Sequence, residues 1–194
     1  MARGFLAVFS EPSPSLPLHE FHEWYEEEHI PIRMNHLKEF LSGARYEILG
    51  SSQSDLGWLA MYEIDDTKTF SDPRYTGLRE KRSEREKSVM ARLQKLVRIL
   101  GEEIGVFYGN GRERSTGMKV GNPTRWTVTH AVYTQNLSVQ DMKKVADGLY
   151  SAIGDNWISM RVVKVLQKAG VGLGSVPVPT ESREDVEYLV IHGA

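Results

Sequence analysis

One stretch gathers most of the side chains able to do chemistry: Leu16 to Arg33, LPLHEFHEWYEEEHIPIR. An imidazole beside a carboxylate is the simplest acid/base pair, because burial and proximity move both pKa values toward neutrality. At roughly 100° per residue, Leu18, Phe21, Trp24 and Tyr25 fall on one arc, the face expected to meet a core. Glu20, Glu23 and Glu27 lie opposite, where water can solvate them. His22, Glu26 and His29 recur at i, i+4 and i+7 as a polar stripe at one border of the apolar arc. Glu28 projects between Trp24 and Phe21, on the buried side. Pro31 disfavours the α region at Ile30, so the helix is expected to end there, with Glu28 and His29 in its last turn. Glu28 and His29 are therefore the candidate catalytic pair, with His22 and Tyr25 beside them as candidate substrate contacts.

Plainer readings of the same residues exist. A histidine in a last turn complements the helix dipole, and a last-turn glutamate can turn outward. His19, His22 and His36 each suit the surface or packing. The stripe could present metal ligands but lacks the HExxH register, so no metal is expected. No GxSxG nucleophile motif is present.

The totals narrow the classes. The 194 residues suit one ordinary domain or two small related halves, and 40% hydrophobic residues suffice for a core. A net charge of −2 without basic clusters argues against nucleic acid and anionic membranes as partners. The absence of cysteine excludes disulfides, thiolate nucleophiles and Cys-ligated metal sites. The opening MARGFLAVFSEPSP has an apolar run too short for a signal peptide and reads as a strand. No segment is apolar for long enough to span a membrane, so a cytoplasmic location is expected.

Around the first helix the elements alternate. Phe5 to Ser10, Phe40 to Leu49 and Trp58 to Ile64 read as strands. GSSQSDLG joins the last two as a turn. In the second strand Ser42, Ala44, Tyr46 and Ile48 share one face, while Leu41, Gly43, Arg45 and Glu47 share the other. RYTGLREKRSEREKSVMARLQKLVRIL reads as one long charged helix with Leu78, Val89, Leu93, Leu96 and Leu100 along a stripe, followed by a short strand, Ile104 to Tyr108. This β-α-β-β-α-β order is the split βαβ of ferredoxin-like domains. Its strands are apolar on both faces, so the face without helices needs a second sheet.

Residues 109–125, polar and glycine-rich, read as a linker between a ferredoxin-like half (1–108) and a truncated half (126–194). Trp126 to Thr134, a helix capped by Ser138 with Asp141, Trp157 to Leu166 and Glu187 to His192 repeat β-α-β-β. The expected fold is α+β, with the two sheets packed as a barrel. Where the first half has WYEEEHIP the second has LYSAIGDN, so the chemistry is expected in the first half alone.

Arg45 and Tyr46 could steady an enolate or phenolate, though they alternate across their strand. Trp58 and Tyr62 share a face of the next strand and could wall a flat substrate, with core packing the plainer reading. His130 and His192 read as hydrogen-bonded core or rim histidines. GVGLGS, Gly170 to Ser175, runs into prolines rather than a helix and reads as a loop.

The succession GFLAVFSEP, EFHEWYEEEHIPIRM, SGARYEI, GWLAMYEIDD resembles the EthD-like branch of the dimeric α+β barrel proteins, nearest the fungal members with two fused halves. RYTGLREKRSEREKSV is similar to that group's long second helix, while LVRI at Leu96 to Ile99 departs from the paired arginine expected there. The fold's relatives include cofactor-independent cyclases, decarboxylases and dehydratases, monooxygenases, lactone isomerases and haem-binding enzymes. The resemblance places the glutamate–histidine pair, here Glu28 and His29, at the mouth of a barrel cavity, with Trp24 and Tyr25 as the signature aromatics. The expectation is a cofactor-independent lyase or cyclase acting by proton transfer on an aromatic or polyketide-like carbonyl compound. The alternatives are a cofactor-free or haem-dependent monooxygenase and a non-catalytic binding or assembly module. The shortened second half allows either a barrel closed within one chain or one completed in a homodimer.

Overall fold

The computed structural model describes residues 2–49, 56–109, 117–119, 123–171 and 186–194. The 50–57 turn, the 109–125 linker and the 170–175 glycine run lie partly or largely outside them.

Strand β1 (Gly4–Pro12) runs in the middle of the first half, hydrogen-bonded to β3 (Trp58–Ile64) on one side and β4 (Leu93–Tyr108) on the other; β2 (Phe40–Glu47) lies beyond β3. This β2-β3-β1-β4 order is the ferredoxin-like one. β5 (Thr127–Thr134), β6 (Ser159–Val171) and β7 (Val186–Gly193) come next, and every pairing is antiparallel. Because β4 bonds to both β1 and β6, the strands form one seven-stranded sheet, β2-β3-β1-β4-β6-β7-β5. The order β6-β7-β5 repeats β2-β3-β1 in the same chain sense.

Strand β4 differs from expectation. Leu93, Leu96 and Leu100 belong to it, not to a helix, and the charged segment breaks into two short helices, α3 (Pro73–Thr76) and α4 (Glu84–Ala91). Ser83 caps α4 by accepting the Glu86 amide, which restarts the helix, and Arg92 ends it. From Leu93 the β-branched Val97 and Ile99 face the side without helices while Leu96 and Leu100 face the helices, so both neighbouring strands find apolar partners. At the crossing of β4 and β6, Gly101 leaves no room for a side chain. An added Cβ would lie 2.2 Å from Val163 Cγ1 and 2.8 Å from the Lys164 carbonyl oxygen. Gly101→Ala should lose about 1–3 kcal/mol of stability, read as a lower urea midpoint.

The core has three parts. Helix α1 (Leu18–Trp24) buries Phe21 and Trp24 against Leu6, Val8, Ala60, Tyr62 and Leu100, and helix α2 (Ile30–His36) adds the partly buried Ile30 and Met34. Phe5, Ala7, Leu59, Met61, Val97 and Ile99 line the opposite face together with Val163, Leu189 and Ile191 of β6 and β7. Helix α5 (Val139–Ile153), capped by Ser138 as its sequence implies, lays Met142 and Ala146 over Met160, Val162, Tyr188 and Val190. On the helix-free face Arg161 of β6 is 8% exposed and pairs with both Glu63 of β3 and Glu103 of β4, while the Ser42 hydroxyl donates to Glu63. Among the described residues no helix is long and apolar enough to cross a membrane.

Candidate active site

Pro31 does not end the helix. The chain runs from α1 through a π-helical turn, Tyr25–His29, into α2, and the Ile30 amide donates to the Tyr25 carbonyl five residues back. A proline inside a helix lacks the amide and crowds the carbonyl four residues earlier, and widening the preceding turn relieves that contact. The extra residue rotates the side chains of the turn relative to those of α1. Glu28 and His29 therefore lie mid-helix, and each turns toward the segment around α4.

His29 is 12% exposed and sits 3.2 Å, Nδ1 to Oε1, from Glu86, a residue of α4. Its ring centroid lies 4.4 Å from that of Trp24 and 5.0 Å from that of Tyr25. Burial first, and the Arg33 charge second, hold His29 at about 3, against the pull of Glu86. Burial raises the Glu86 carboxyl, but the His29 hydrogen bond and the Arg33 and Arg82 charges more than reverse it. An ionised carboxylate only accepts, so the proton of neutral His29 resides on Nδ1 and the lone pair on Nε2. Arg33 Nη1 donates to the His29 carbonyl at 2.7 Å and fixes the turn from below.

The depressed His29 pKa makes stability depend on pH. Between pH 6.5 and about 3 the unfolded chain binds a proton at His29 that the folded chain refuses. Stability should therefore fall as pH drops through that window, by up to about 1.4 kcal/mol per pH unit from this one group. Urea unfolding at several pH values should show a shallower slope in His29→Gln.

His22 carries the opposite tautomer. Arg45 Nη2 lies 2.8 Å from His22 Nδ1, and a guanidinium only donates, so Nδ1 accepts and the proton sits on Nε2. Burial, then the Arg45 charge, lowers the His22 pKa and keeps the ring neutral. Arg45 also stacks over Tyr25, 4.3 Å from its centroid, and reaches Glu26 at 3.4 Å. Trp58 meets the His22 ring edge-on at 4.4 Å. His22, Glu26, Arg45, Tyr46, Glu47 and Trp58 line an open cleft of about 320 Å³.

Several expected partners are separated. Glu28 accepts from the Ser83 hydroxyl, and the carboxylate facing His29 is Glu86. Tyr46 packs with Ala44 and Ile48 toward the helix-free face, opposite Arg45, as their alternation implies. Burial pushes its hydroxyl up to about 12, and Tyr62, fully buried under the helices, still higher. The hydroxyls of Tyr46 and Tyr62 and the Trp24 indole nitrogen have no hydrogen-bond partner among the described residues. The stripe of His22, Glu26 and His29 does not converge: the first two meet at Arg45, the third turns to Glu86. Among the described residues no three His, Asp or Glu side chains are grouped to hold a metal. His130 and His192 stack at 5.2 Å, and Trp157 Nε1 donates to His192 Nδ1 at 3.5 Å, which makes them rim histidines of the second half. Glu86 and Arg33 are the residues that sequence reasoning missed. Ser83 and Glu86 form an S-x-x-E capping signature, the one available sign that a new helix starts there and faces the first.

No protein-family profile matches the chain, and no curated protein matches it. Among solved structures it is similar to an anthrone oxidase-like protein at 14% identity and a TM-score of 0.57, over 99% of this chain and 72% of that one. It also aligns with an ethyl tert-butyl ether (ethd) family protein from Bacillus halodurans at 17% identity and a TM-score of 0.38, over 54% of this chain and 100% of that one. A third alignment is with a protein named as a candidate monooxygenase from Lactobacillus acidophilus, at 9% identity and a TM-score of 0.49, over 100% of this chain and 78% of that one. Likeness at this identity speaks to fold alone, and the fold is α+β with ferredoxin-like topology.

Proposed function

We propose that the chain is a cofactor-independent enzyme of the EthD-like kind, acting by proton transfer on an aromatic or polyketide-like carbonyl compound. The observation that carries this is the pair of hydrogen bonds that sets the two rings in opposed tautomers: His29 Nδ1 on the Glu86 carboxylate, which leaves its lone pair on Nε2, and His22 Nδ1 on Arg45, which it helps to orient. His29 Nε2 takes a proton from the carbon next to the carbonyl; burial and Arg33 hold its pKa below neutrality rather than near it, so the step depends on Glu86 to stabilise the imidazolium that forms. The electron pair moves onto the carbonyl oxygen, and Arg45, oriented by its hydrogen bond to His22 Nδ1, steadies the resulting enolate. Attack of the enolate carbon on a second carbonyl, whose new alkoxide takes the His29 proton, gives a cyclisation. Expulsion of a β-hydroxyl, which leaves as water with that proton, gives a dehydration. A β-keto acid reaches the same enolate by losing carbon dioxide in place of the proton, and its carbon then takes a proton from water. Tyr25 lies between the His29 ring and Arg45, so it must yield for substrate to reach both. Trp58 supplies the flat wall. In this reading the two halves curl into an opened barrel, with the second half a truncated repeat.

A second reading, oxidation of the same enolate by O₂, is favoured by the name of the anthrone oxidase-like neighbour, whose alignment spans nearly the whole chain. Incubating wild type and His29→Gln with anthrone and with linear aromatic polyketides, in air and without oxygen, with mass spectrometry of the products, tests both. His29-dependent product formed in both atmospheres supports proton-transfer chemistry, and product formed only in air supports the oxidase. Ligand bound but unchanged by either protein would leave a binding module.

A further inference from the structure

We propose that the cleft beside β2 is built for a planar aromatic monoacid, its ionised carboxylate or phenolate lying on Arg45 and its rings along Trp58. This rests on the cleft being the substrate site of the proposed enzyme, the bound anion standing where the enolate oxygen forms during turnover. Arg45 is a charge with too little company. Its side chain is 15% exposed, pressed on the faces of Tyr25 and Phe21. Among the described residues its one carboxylate contact is Glu26, 3.4 Å away on a side chain 71% exposed. Strong N–H to carboxylate bonds span about 2.7–2.9 Å, so Glu26 holds Arg45 loosely and competes with water for it. The other neighbour, His22 Nδ1, accepts a hydrogen bond but brings no charge.

A partly desolvated guanidinium matched so weakly is a receptor for a planar oxyanion, which its fork can grip with two parallel N–H bonds. An incoming acid would take the place of Glu26 on Arg45, while His22 Nδ1 goes on holding the guanidinium in position. Glu26 and Glu47 line the same cleft and would repel a second negative charge, which selects monoanions over diacids. The volume, about 320 Å³, stands at the small end of ligand sites, and the open side of the cleft leaves further rings free to extend outward.

Calorimetric titration of the full chain with 2-naphthoate, neutral 2-acetylnaphthalene and naphthalene-2,6-dicarboxylate tests this. Naphthoate should bind about tenfold or more tighter than the ketone, with a preference that shrinks at high salt, and tighter than the diacid. Arg45→Met should erase the preference for the acid over the ketone, and Arg45→Lys should keep part of it. Equal binding of acid and ketone by wild type, or an intact preference in Arg45→Met, would overturn the proposal; if Arg45→Met fails to fold, the wild-type ratio and its salt dependence decide. Failure of the two readings is distinguishable. Acid binding without His29-dependent turnover would remove the proposed reaction and leave the acid site. Turnover with no acid preference would do the reverse.

Discussion

Replacing Arg161 with methionine should destabilise the fold by about 3–5 kcal/mol, the range seen when one partner of a buried ion pair is removed. Arg161 answers two carboxylates at once, Glu63 from β3 and Glu103 from β4, on the face without helices. Without it, both acids remain in a poorly solvated place without their paired cation, although the Arg3 charge and the Ser42 hydroxyl still act on Glu63. The loss should be seen as a lowered urea midpoint at unchanged slope. Adding Glu103→Leu to Arg161→Met should recover part of it, since one stranded charge is then gone. A double variant no more stable than Arg161→Met would mean that Glu103 is hydrated independently of Arg161.

The second large effect concerns activity. His29→Gln should lower kcat by roughly 10²–10⁴-fold, the usual contribution of a positioned acid/base group. Glu86→Gln should lose about 10² or more, because glutamine keeps the shape and removes the charge that stabilises the imidazolium. KM should move little in either, as the cleft residues are untouched. Glu28→Gln should cost far less, since its carboxylate is engaged by Ser83. A loss in Glu28→Gln equal to that in Glu86→Gln would return the catalytic role to the neighbour in sequence.

Much of this was legible in the residues. The alternation of Phe40 to Leu49 put Arg45 and Tyr46 on opposite faces, and Ser138 with Asp141 marked the start of α5. The β-α-β-β-α-β order emerged because apolar strands and an amphipathic helix carry distinct periods. Pro31 was ambiguous, because the same ring that ends one helix can widen a turn in another. Which occurs depends on whether the residues after it can bury a face, and α2 does so against the sheet through Ile30 and Met34. Leu96 and Leu100 suit a helical stripe and equally one face of a strand. Strand won because β1 and β6 both lie ready to pair with that segment. The carboxylate that faces His29 was hidden for a related reason. Glu28 adjoins His29 in sequence, whereas Glu86 comes near only once α4 has folded beside the π turn.

The protonation of two rings is the most direct test of the proposed chemistry. Long-range ¹H–¹⁵N correlation of the histidine side chains at neutral pH, with His22→Gln and His29→Gln for assignment, reads which nitrogen holds the proton. Both rings should be neutral, His29 protonated on Nδ1 and His22 on Nε2, with His29 still neutral at pH 5. A His29 charged at neutral pH, or a His29 proton on Nε2, would contradict the mechanism, because the lone pair needed to accept a substrate proton would not be there.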